Sequence, residues 1–146
     1  MSYTCLLTHV VFSTKDRAPL LTDHEIRNAL HAYLGGIVRN LKGRAYTIGG
    51  VSDHVHMLIS LPPTIAMADA VRTVKTNSSV WVKTRIPNFA WQKKYAAFSV
   101  SQSGVERVGR YIDEQETHHE KHTFEEELLA LLAKHKVAYD PQYLWV

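Results

Sequence analysis

The order of strand-like and helix-like segments is the feature that most constrains how this chain can fold. Runs of β-branched and apolar residues predict four strands, at residues 3–13, 45–51, 54–61 and 95–101. Capping motifs and apolar residues at helical spacing predict four helices, at residues 22–41, 64–84, 104–121 and 124–135. The order is therefore β-α-β-β-α-β followed by two helices. It predicts an α+β fold of the ferredoxin-like or RRM-like kind, an antiparallel sheet with helices on one face plus two C-terminal helices.

Short polar motifs indicate where the helices begin. Capping boxes, in which a serine or threonine is followed three residues later by a glutamate, stand at 22–25, 103–106 and 123–126. Pro62 and Pro63 should end the third strand, and Thr64 is the predicted N-cap of the next helix. Ser52 and Asp53 should form the turn of a hairpin between the second and third strands.

Length and composition exclude several classes of protein. A chain of 146 residues with 45% hydrophobic content can bury a core, which excludes intrinsic disorder, and it is expected to form one domain over residues 1–146. The only cysteine, Cys5, excludes a disulfide scaffold and indicates a reducing compartment. No apolar run reaches the roughly 18 residues that a membrane span requires, and the first residues do not resemble a signal peptide. The expected location is the cytoplasm, with no membrane partner.

The charge of the chain is unevenly distributed. Residues 72–110 hold eight basic side chains and one acidic one, whereas residues 111–127 hold seven acidic side chains and one basic one. Such a basic block is typical of proteins that bind nucleic acid, and it is equally compatible with an ordinary solvated surface. If the partner is DNA, the candidate binding residues are Arg72, Lys75, Lys83, Arg85, Lys93 and Lys94.

Two histidines stand two residues apart in the third predicted strand. Because alternate residues of a strand point to the same side, His54 and His56 project together, while Val55 and Met57 face the opposite layer. Paired imidazoles can hold a metal ion, or each can hydrogen-bond a backbone group or water. Leu58 stands where a histidine-triad hydrolase needs a third histidine, and the helical His-Glu-x-x-His pattern of zinc peptidases is absent from the sequence.

A second group of polar residues lies in the helix predicted at 104–121. Tyr111 and Gln115 are four residues apart and so lie one turn apart on one helical face, and His118 and His119 continue that stripe. A tyrosine and a glutamine at this spacing are usually packing residues. They indicate a site only in combination with the paired histidines of the third strand.

Together these motifs resemble a known family. The segment Tyr-Ile-Asp-Glu-Gln-Glu-Thr-His-His at 111–119, downstream of Asp-His-Val-His at 53–56, is similar to the short single-tyrosine transposases of the HUH class. That class includes bacterial insertion-sequence transposases and REP-associated tyrosine transposases. Three further segments resemble the family in matching order, at 8–15, 98–101 and 139–145. One departure is Glu114, where an asparagine is expected.

The resemblance implies an enzyme that binds hairpin-bearing single-stranded DNA and cleaves and rejoins it. Carried over to this chain, His54, His56 and Gln115 would bind a divalent metal ion, Mg²⁺ or Mn²⁺. Tyr111 would be the nucleophile that forms a 5′-phosphotyrosine intermediate. The resemblance further implies a homodimer whose composite active sites combine the metal ligands of one subunit with the tyrosine helix of the other.

Some assignments stay open at this point. His118 and His119 could assist as accessory residues, although a positional role is also compatible with the pattern. A non-catalytic RRM-like nucleic-acid-binding protein would need only the fold and the basic block. A domesticated REP-associated nuclease would keep the chemistry without moving its own gene, and it would be associated with the nucleoid when bound to DNA.

Overall fold

The computed structural model describes residues 2–146, and its centre is a four-stranded antiparallel sheet. The strands are β1 (Leu7–Ser13), β2 (Arg44–Gly50), β3 (His54–Ser60) and β4 (Ala96–Ser99). Their order across the sheet is β2-β3-β1-β4, so β1 and β3 occupy the middle. The predicted α+β class and antiparallel sheet are confirmed, although β1 and β4 are shorter than the apolar runs that indicated them.

Two long helices, α1 (His24–Asn40) and α2 (Met67–Lys83), cover one face of this sheet. Alternate strand residues, among them Val10, Phe12, Val55 and Met57, point toward these helices and form a dry core with their apolar faces. This packing fixes which way β3 faces, because its other alternate residues must point to the opposite side of the sheet.

Three C-terminal helices, α3 (Val105–Asp113), α4 (Gln115–His118) and α5 (Phe124–Lys134), cover the other face. A small apolar cluster of Val11, Phe98, Phe124 and Leu132 attaches α5 to the sheet, and Trp145 of the C-terminal tail packs against it. Between residues 2 and 146 no helix combines the length and the apolar character needed to cross a membrane.

Side-chain caps begin two of the helices, α1 and α5, and three of the predicted caps differ from the structure. The capping box at Thr123 is present and begins α5 as predicted. Helix α1 begins one residue later than its predicted box, because the Asp23 side chain accepts hydrogen bonds from the first turn. Helix α2 begins at Met67 with no side-chain cap, so Thr64 is not its N-cap. The capping box expected at Ser103 is absent as well, because its hydroxyl pairs with that of Ser101.

The helix predicted over residues 104–121 is in fact two helices. The backbone leaves helical geometry at Glu114, with φ −95° and ψ 17°, and α4 then extends only to His118. At this break the side-chain amide of Gln115 approaches the Tyr111 carbonyl oxygen at 3.5 Å, the group that the backbone N–H of residue 115 would bond in a continuous helix. The break therefore accompanies an inward-turned Gln115.

Candidate active site

The two histidines of β3 point away from the α1–α2 core and lie under the C-terminal helices. In the register of the sheet His56 lies opposite Val11 and His54 lies opposite Ser13, so these side chains share one face. Both histidines are completely buried. Because a buried imidazole needs a polar partner, the contacts of their ring nitrogens show what the site is built to hold.

The carboxylate of Glu127, in the first turn of α5, lies among the imidazoles. Its Oε1 atom accepts hydrogen bonds from His56 Nε2 at 2.8 Å and from His119 Nε2 at 3.1 Å, and it lies 3.2 Å from His54 Nε2. The Glu127 side chain is only 1% exposed. Three ring nitrogens from two separate parts of the chain thus converge on one oxygen atom.

No motif among the sequence patterns distinguishes Glu127 from the two glutamates that precede it. A signal was nevertheless present in the helical spacing. Phe124 and Leu131 define the apolar stripe of α5, and Glu127, three residues after the first and four before the second, falls on the same stripe. A carboxylate on a stripe that packs against a sheet must find partners there.

Tyr111 and Gln115 reach the same cluster from α3 and α4. The Tyr111 hydroxyl donates a short hydrogen bond to Glu127 Oε2, and its ring centroid lies 5.7 Å from that of His56. Gln115 Oε1 accepts from His54 Nε2 at 3.1 Å, while Gln115 Nε2 donates to Glu127 Oε2 at 2.9 Å. One chain therefore brings together the tyrosine, the glutamine and both histidines.

The histidines at and just after the end of α4, His118 and His119, have different positions. His119 belongs to the cluster, and its Nδ1 donates to the backbone carbonyl of His122 at 2.7 Å, which leaves its Nε2 directed at Glu127. His118 Nε2 lies 3.4 Å from Glu127 Oε2 without the alignment of a hydrogen bond, and its ring packs beside that of Tyr111. Of the two accessory candidates, only His119 has the position of a ligand.

Two further residues contact the Nδ1 atoms of His54 and His56, the ring nitrogens that face away from Glu127. Asp53 Oδ1 accepts from His54 Nδ1 at 2.7 Å, and His9 Nε2 pairs with His56 Nδ1 at 2.8 Å. Such contacts fix the rotation of an imidazole whose other nitrogen faces a metal. His9 has no predicted role in the sequence, yet it lies on β1 in the same alternation as Val11, which places it on the polar face.

Burial and charge act in opposite directions on the histidines. Burial, helped by neighbouring His56, lowers the pKa of His9 to about 3. Burial also lowers the pKa of His56 to about 4, against the effect of Glu127. Burial alone would lower the pKa of His54 too, but its hydrogen bonds to Asp53 and Glu127 raise that pKa to about 9. His54 is therefore protonated at neutral pH.

The carboxylate and the phenol are shifted in opposite senses. Burial would raise the pKa of Glu127, but hydrogen bonds from His119, His54 and His56 lower it well below its usual range. Burial and the hydrogen bond to Glu127 raise the pKa of Tyr111 above that of a free phenol. The carboxylate is therefore ionised and the phenol protonated, so a nucleophilic Tyr111 needs additional stabilisation of its anion.

The donor atoms of this cluster fit a divalent metal ion. Single ligand atoms of His54, His56, His119 and Glu127 all lie within 4.8 Å of one another. Adjacent ligands of an octahedral ion with bonds of about 2.1 Å are roughly 3.0 Å apart, close to the separations between the Glu127 oxygen and the imidazole nitrogens. Three imidazoles and one carboxylate suit Mn²⁺ or a later transition metal better than Mg²⁺, which prefers oxygen ligands.

Three of the six candidate DNA-binding residues line one groove. Arg72, Lys75 and Lys93 border a groove of about 520 Å³ between α2 and the segment before β4. Lys75 is partly buried, its Nζ donates to the carbonyls of Gln92 and Lys94, and burial lowers its pKa to about 8. Since α2 covers the α1–α2 side of the sheet, this groove does not open on the histidine cluster.

The other three basic residues lie outside that groove. Lys83 is the last residue of α2, and the guanidinium of Arg85 lies 5.8 Å from the centre of the Trp81 ring. Lys94 donates to the backbone carbonyl of Tyr143 in the C-terminal tail. Of the six basic residues grouped in the sequence, this groove therefore brings together three.

Comparison with known proteins adds a family and a fold. The family model described as transposase IS200 like matches residues 2–115, which include His54, His56, Tyr111 and Gln115. His119 and Glu127 lie beyond the matched residues. No curated protein matches the sequence significantly.

Two solved structures have a similar fold. A candidate transposase from Deinococcus radiodurans R1 superposes with a TM-score of 0.63 at 22% sequence identity, over 79% of this chain and 95% of that chain. A REP-associated tyrosine transposase bound to a REP hairpin superposes with a TM-score of 0.61 at 14% identity, over 82% of this chain and 74% of that chain. At such identities the likeness establishes the fold.

Proposed function

This chain belongs to the transposase IS200-like family, and on that premise we propose that it is a metal-dependent enzyme that cleaves and rejoins single-stranded DNA through Tyr111. The proposal treats residues 1–146 as one catalytic domain. The observation that carries it is the hydrogen bond between the Tyr111 hydroxyl and Glu127, the same carboxylate that faces the buried imidazoles. A non-catalytic nucleic-acid-binding protein would have no use for this arrangement.

The proposed ligands of the divalent ion are His54, His56, His119 and Glu127, with the Gln115 oxygen adjacent to His54. An ion bound there would act as a Lewis acid on the scissile phosphate. Asp53 holds the ring of His54 in place, and the covering helices exclude water from the ligands. Both Mg²⁺ and Mn²⁺ remain within the proposal, and the donor set favours Mn²⁺.

The nucleophile in this proposal is Tyr111, whose oxygen attacks the phosphorus atom. The bond from phosphorus to the 3′ oxygen breaks, and that oxygen takes up a proton to become a free 3′-OH. Glu127 Oε2 accepts a hydrogen bond from the phenol and so orients its oxygen, while the phenolic proton passes to solvent, from which the 3′ oxygen takes one up. Because the 5′-phosphotyrosine is itself a phosphodiester, a second 3′-OH can reverse the attack and join two strands without an external energy source.

The proposed substrate is single-stranded DNA that carries a hairpin. A nucleophile fixed on a helix requires a flexible backbone at the scissile phosphate, which an unpaired strand provides more readily than a duplex. The basic groove bordered by Arg72, Lys75 and Lys93 offers a contact surface for the phosphate backbone. The structural similarity to a transposase bound to a REP hairpin supports the same substrate class.

The homodimer implied by the resemblance is a separate part of the proposal. The site described above is complete within one chain, so a composite site would require α3 and α4 to exchange between subunits. Mixing Tyr111→Phe with His56→Ala protein distinguishes the two arrangements. Covalent product from the mixture indicates composite sites in a dimer, and its absence indicates that each chain acts with its own tyrosine.

Covalent capture tests the proposed function directly. Wild-type protein is incubated with hairpin-bearing single-stranded oligonucleotides and Mn²⁺, and a denaturing gel separates protein–DNA adducts. We expect an adduct that requires the metal and disappears with chelator. Tyr111→Phe should reduce it by at least about a thousandfold, since no other nucleophile lies at that position.

The matched control is Tyr143→Phe, because Tyr143 lies in the C-terminal tail, more than half exposed. This variant should form the adduct at the wild-type rate. Equal adduct from the wild-type and Tyr111→Phe proteins would refute the assignment of the nucleophile.

A further inference from the structure

A cavity beside Tyr111 has no role in the chemistry described so far. It measures about 480 Å³ and lies between the end of β4, helix α3 and helix α5. This volume is within the usual range for pockets that bind a small organic group. Tyr111 and Glu127 border it where it meets the histidine cluster, so whatever occupies the cavity lies next to the reacting atoms.

The cavity has apolar walls. Val100 follows β4, Val108 lies on α3 one turn before Ile112, and Leu131 lies on α5 one turn after Glu127; all three line the cavity. These aliphatic side chains come from three separate elements. Walls of this kind suit a flat, largely apolar group such as a nucleobase, which binds through its faces.

Two cations lie farther along the same helices. Arg107 precedes Tyr111 by four residues on α3, about 6 Å along the helix axis, and Lys134 follows Glu127 by seven residues on α5, about 10 Å along that axis. Both side chains are exposed and line the cavity. The only carboxylate that borders it is Glu127, whose charge is already directed at the imidazoles. The outer part of the cavity therefore favours an anion.

Polar groups also line the cavity. His135 stacks on Phe98 with ring centroids 4.4 Å apart, and its Nδ1 donates to the Leu131 carbonyl at 3.0 Å. In the neutral ring this leaves Nε2 as a hydrogen-bond acceptor. Ser99 and Ser101 line the cavity as well. A base held there could be distinguished by the hydrogen bonds of its edge.

We propose that this cavity binds one unpaired nucleotide of the DNA strand next to the scissile phosphate. The base lies between Val108 and Leu131, and the backbone phosphate on its far side faces Arg107 and Lys134. The inference rests on the proposed function, since it assigns the cavity to the same DNA strand. It adds a nucleotide subsite built from β4, α3 and α5, separate from the metal ligands and from the groove beside α2.

Abasic scanning tests the subsite by equilibrium binding. The probe is a hairpin oligonucleotide with single-stranded flanks, selected from a randomised pool for binding to the Tyr111→Phe protein, so that cleavage does not interfere. An abasic residue is then placed at each unpaired position in turn. We expect one position at which loss of the base weakens binding by about tenfold or more.

A cavity-filling variant shows whether that loss arises in the cavity. Leu131→Trp should weaken binding of the intact probe and remove the penalty at the sensitive position, so that intact and abasic probes bind alike. Leu129→Trp is the matched control, because Leu129 is on the same helix and 38% exposed, and it should keep the full penalty. If the abasic probe still binds more weakly than the intact probe in Leu131→Trp, by the same factor as in the parent protein, the assignment of the base to the cavity is overturned.

A second pair of variants remains informative if Leu131→Trp does not fold. Arg107→Gln should weaken binding and lower the slope of log affinity against log salt by about one, whereas Arg110→Gln, an exposed neighbour outside the cavity, should leave the slope nearly unchanged. Equal slopes for both variants would count against a phosphate at Arg107. The two proposals can fail separately. If the wild-type protein forms the adduct but no loss of affinity on base removal depends on Leu131, the subsite is refuted and the proposed function is not. If that loss depends on Leu131 but no adduct forms, the proposed function is refuted and the nucleotide subsite is retained.

Discussion

The two faces of the sheet are formed by alternate residues of the same strands, yet they differ in chemistry. On the α1–α2 face Val55 and Met57 are buried against aliphatic side chains. On the opposite face His54 and His56 are buried just as completely, but their partners are the carboxylate of Glu127 and other polar groups. Neighbouring residues of β3 are therefore equally buried, but one set forms an apolar core and the other forms a polar cluster.

This difference indicates which face of the sheet determines stability and which determines function. Burying the apolar face is favourable in proportion to the area removed from water. Burying the polar face costs desolvation free energy, which is offset only while every donor and acceptor keeps its partner. A change on the first face should therefore alter stability, and a change on the second should alter ligand binding and reactivity.

The largest expected contrast is between adjacent residues of β3. Met57→Ala should lower the free energy of unfolding by about 2–5 kcal/mol, because it leaves a cavity in the dry core, and the folded fraction should retain its Mn²⁺ affinity. His56→Ala should weaken Mn²⁺ binding by about a hundredfold or more, because it removes a proposed ligand. Urea unfolding and isothermal titration calorimetry measure the two effects. Comparable losses of Mn²⁺ affinity in both variants would contradict the separation of the faces.

Close contact between β2 and the tyrosine helix provides the next test. A Cβ atom at Gly49 would lie 2.5 Å from the backbone oxygen of Ile112, the residue after Tyr111, so Gly49→Ala should displace α3. We expect a loss of about 1–3 kcal/mol in stability and a more than tenfold slower covalent capture, since catalysis depends on small distances.

The control for this change is Gly36→Ala in α1. Its added Cβ would lie no closer than 3.7 Å to the Arg39 side chain, and alanine is favoured over glycine inside a helix by about 0.5–1 kcal/mol. This variant should capture DNA at the wild-type rate. Unchanged capture by Gly49→Ala would show that the position of α3 relative to β2 is not critical.

A smaller difference in Mn²⁺ affinity is expected between variants of two adjacent glutamates of α5. Glu127→Gln should lower Mn²⁺ affinity by about tenfold, because a neutral amide replaces the ionised ligand. Glu126→Gln should leave Mn²⁺ affinity unchanged and lower stability only slightly, since Glu126 is exposed and takes part only in the capping box. Titration calorimetry with Mn²⁺ compares them, and equal affinities would remove Glu127 from the ligand set.

The last prediction concerns the pH dependence of stability that arises from a histidine of α1. The Nε2 atom of His31 is buried without a hydrogen-bond partner, and burial together with nearby Arg27 lowers its pKa to about 4. Between this value and the usual value near 6.5, the unfolded chain binds more protons than the folded one. The stability that this group contributes above pH 6.5 is therefore lost as the pH falls toward 4, by at most about 1 kcal/mol per pH unit.

His31→Gln should reduce the slope of unfolding free energy against pH in that window. Chemical denaturation of both proteins between pH 4 and 7 measures the change. Parallel curves for wild type and variant would show that His31 titrates normally in the folded protein.

Local patterns predict those parts of the fold that depend on local interactions. The succession of strands and helices along the chain through β4 and the cap at Thr123 agree with the structure because side-chain alternation and capping involve neighbouring residues. The break at Glu114 could not be predicted, because it accompanies contacts that Gln115 makes with His54 and Glu127, which are distant in sequence. Likewise the groove that Arg72, Lys75 and Lys93 share with the segment before β4 depends on the packing of α2, which the basic block of the sequence does not specify.

The sequence by itself determines the antiparallel sheet, the common orientation of His54 and His56, and the family to which the chain belongs. Only the tertiary structure decides that Glu127, His119 and His9 complete the cluster around them. The physical reason is that a strand's two faces follow from its period of two. The partner of a buried charge, by contrast, follows from how distant helices pack over the sheet.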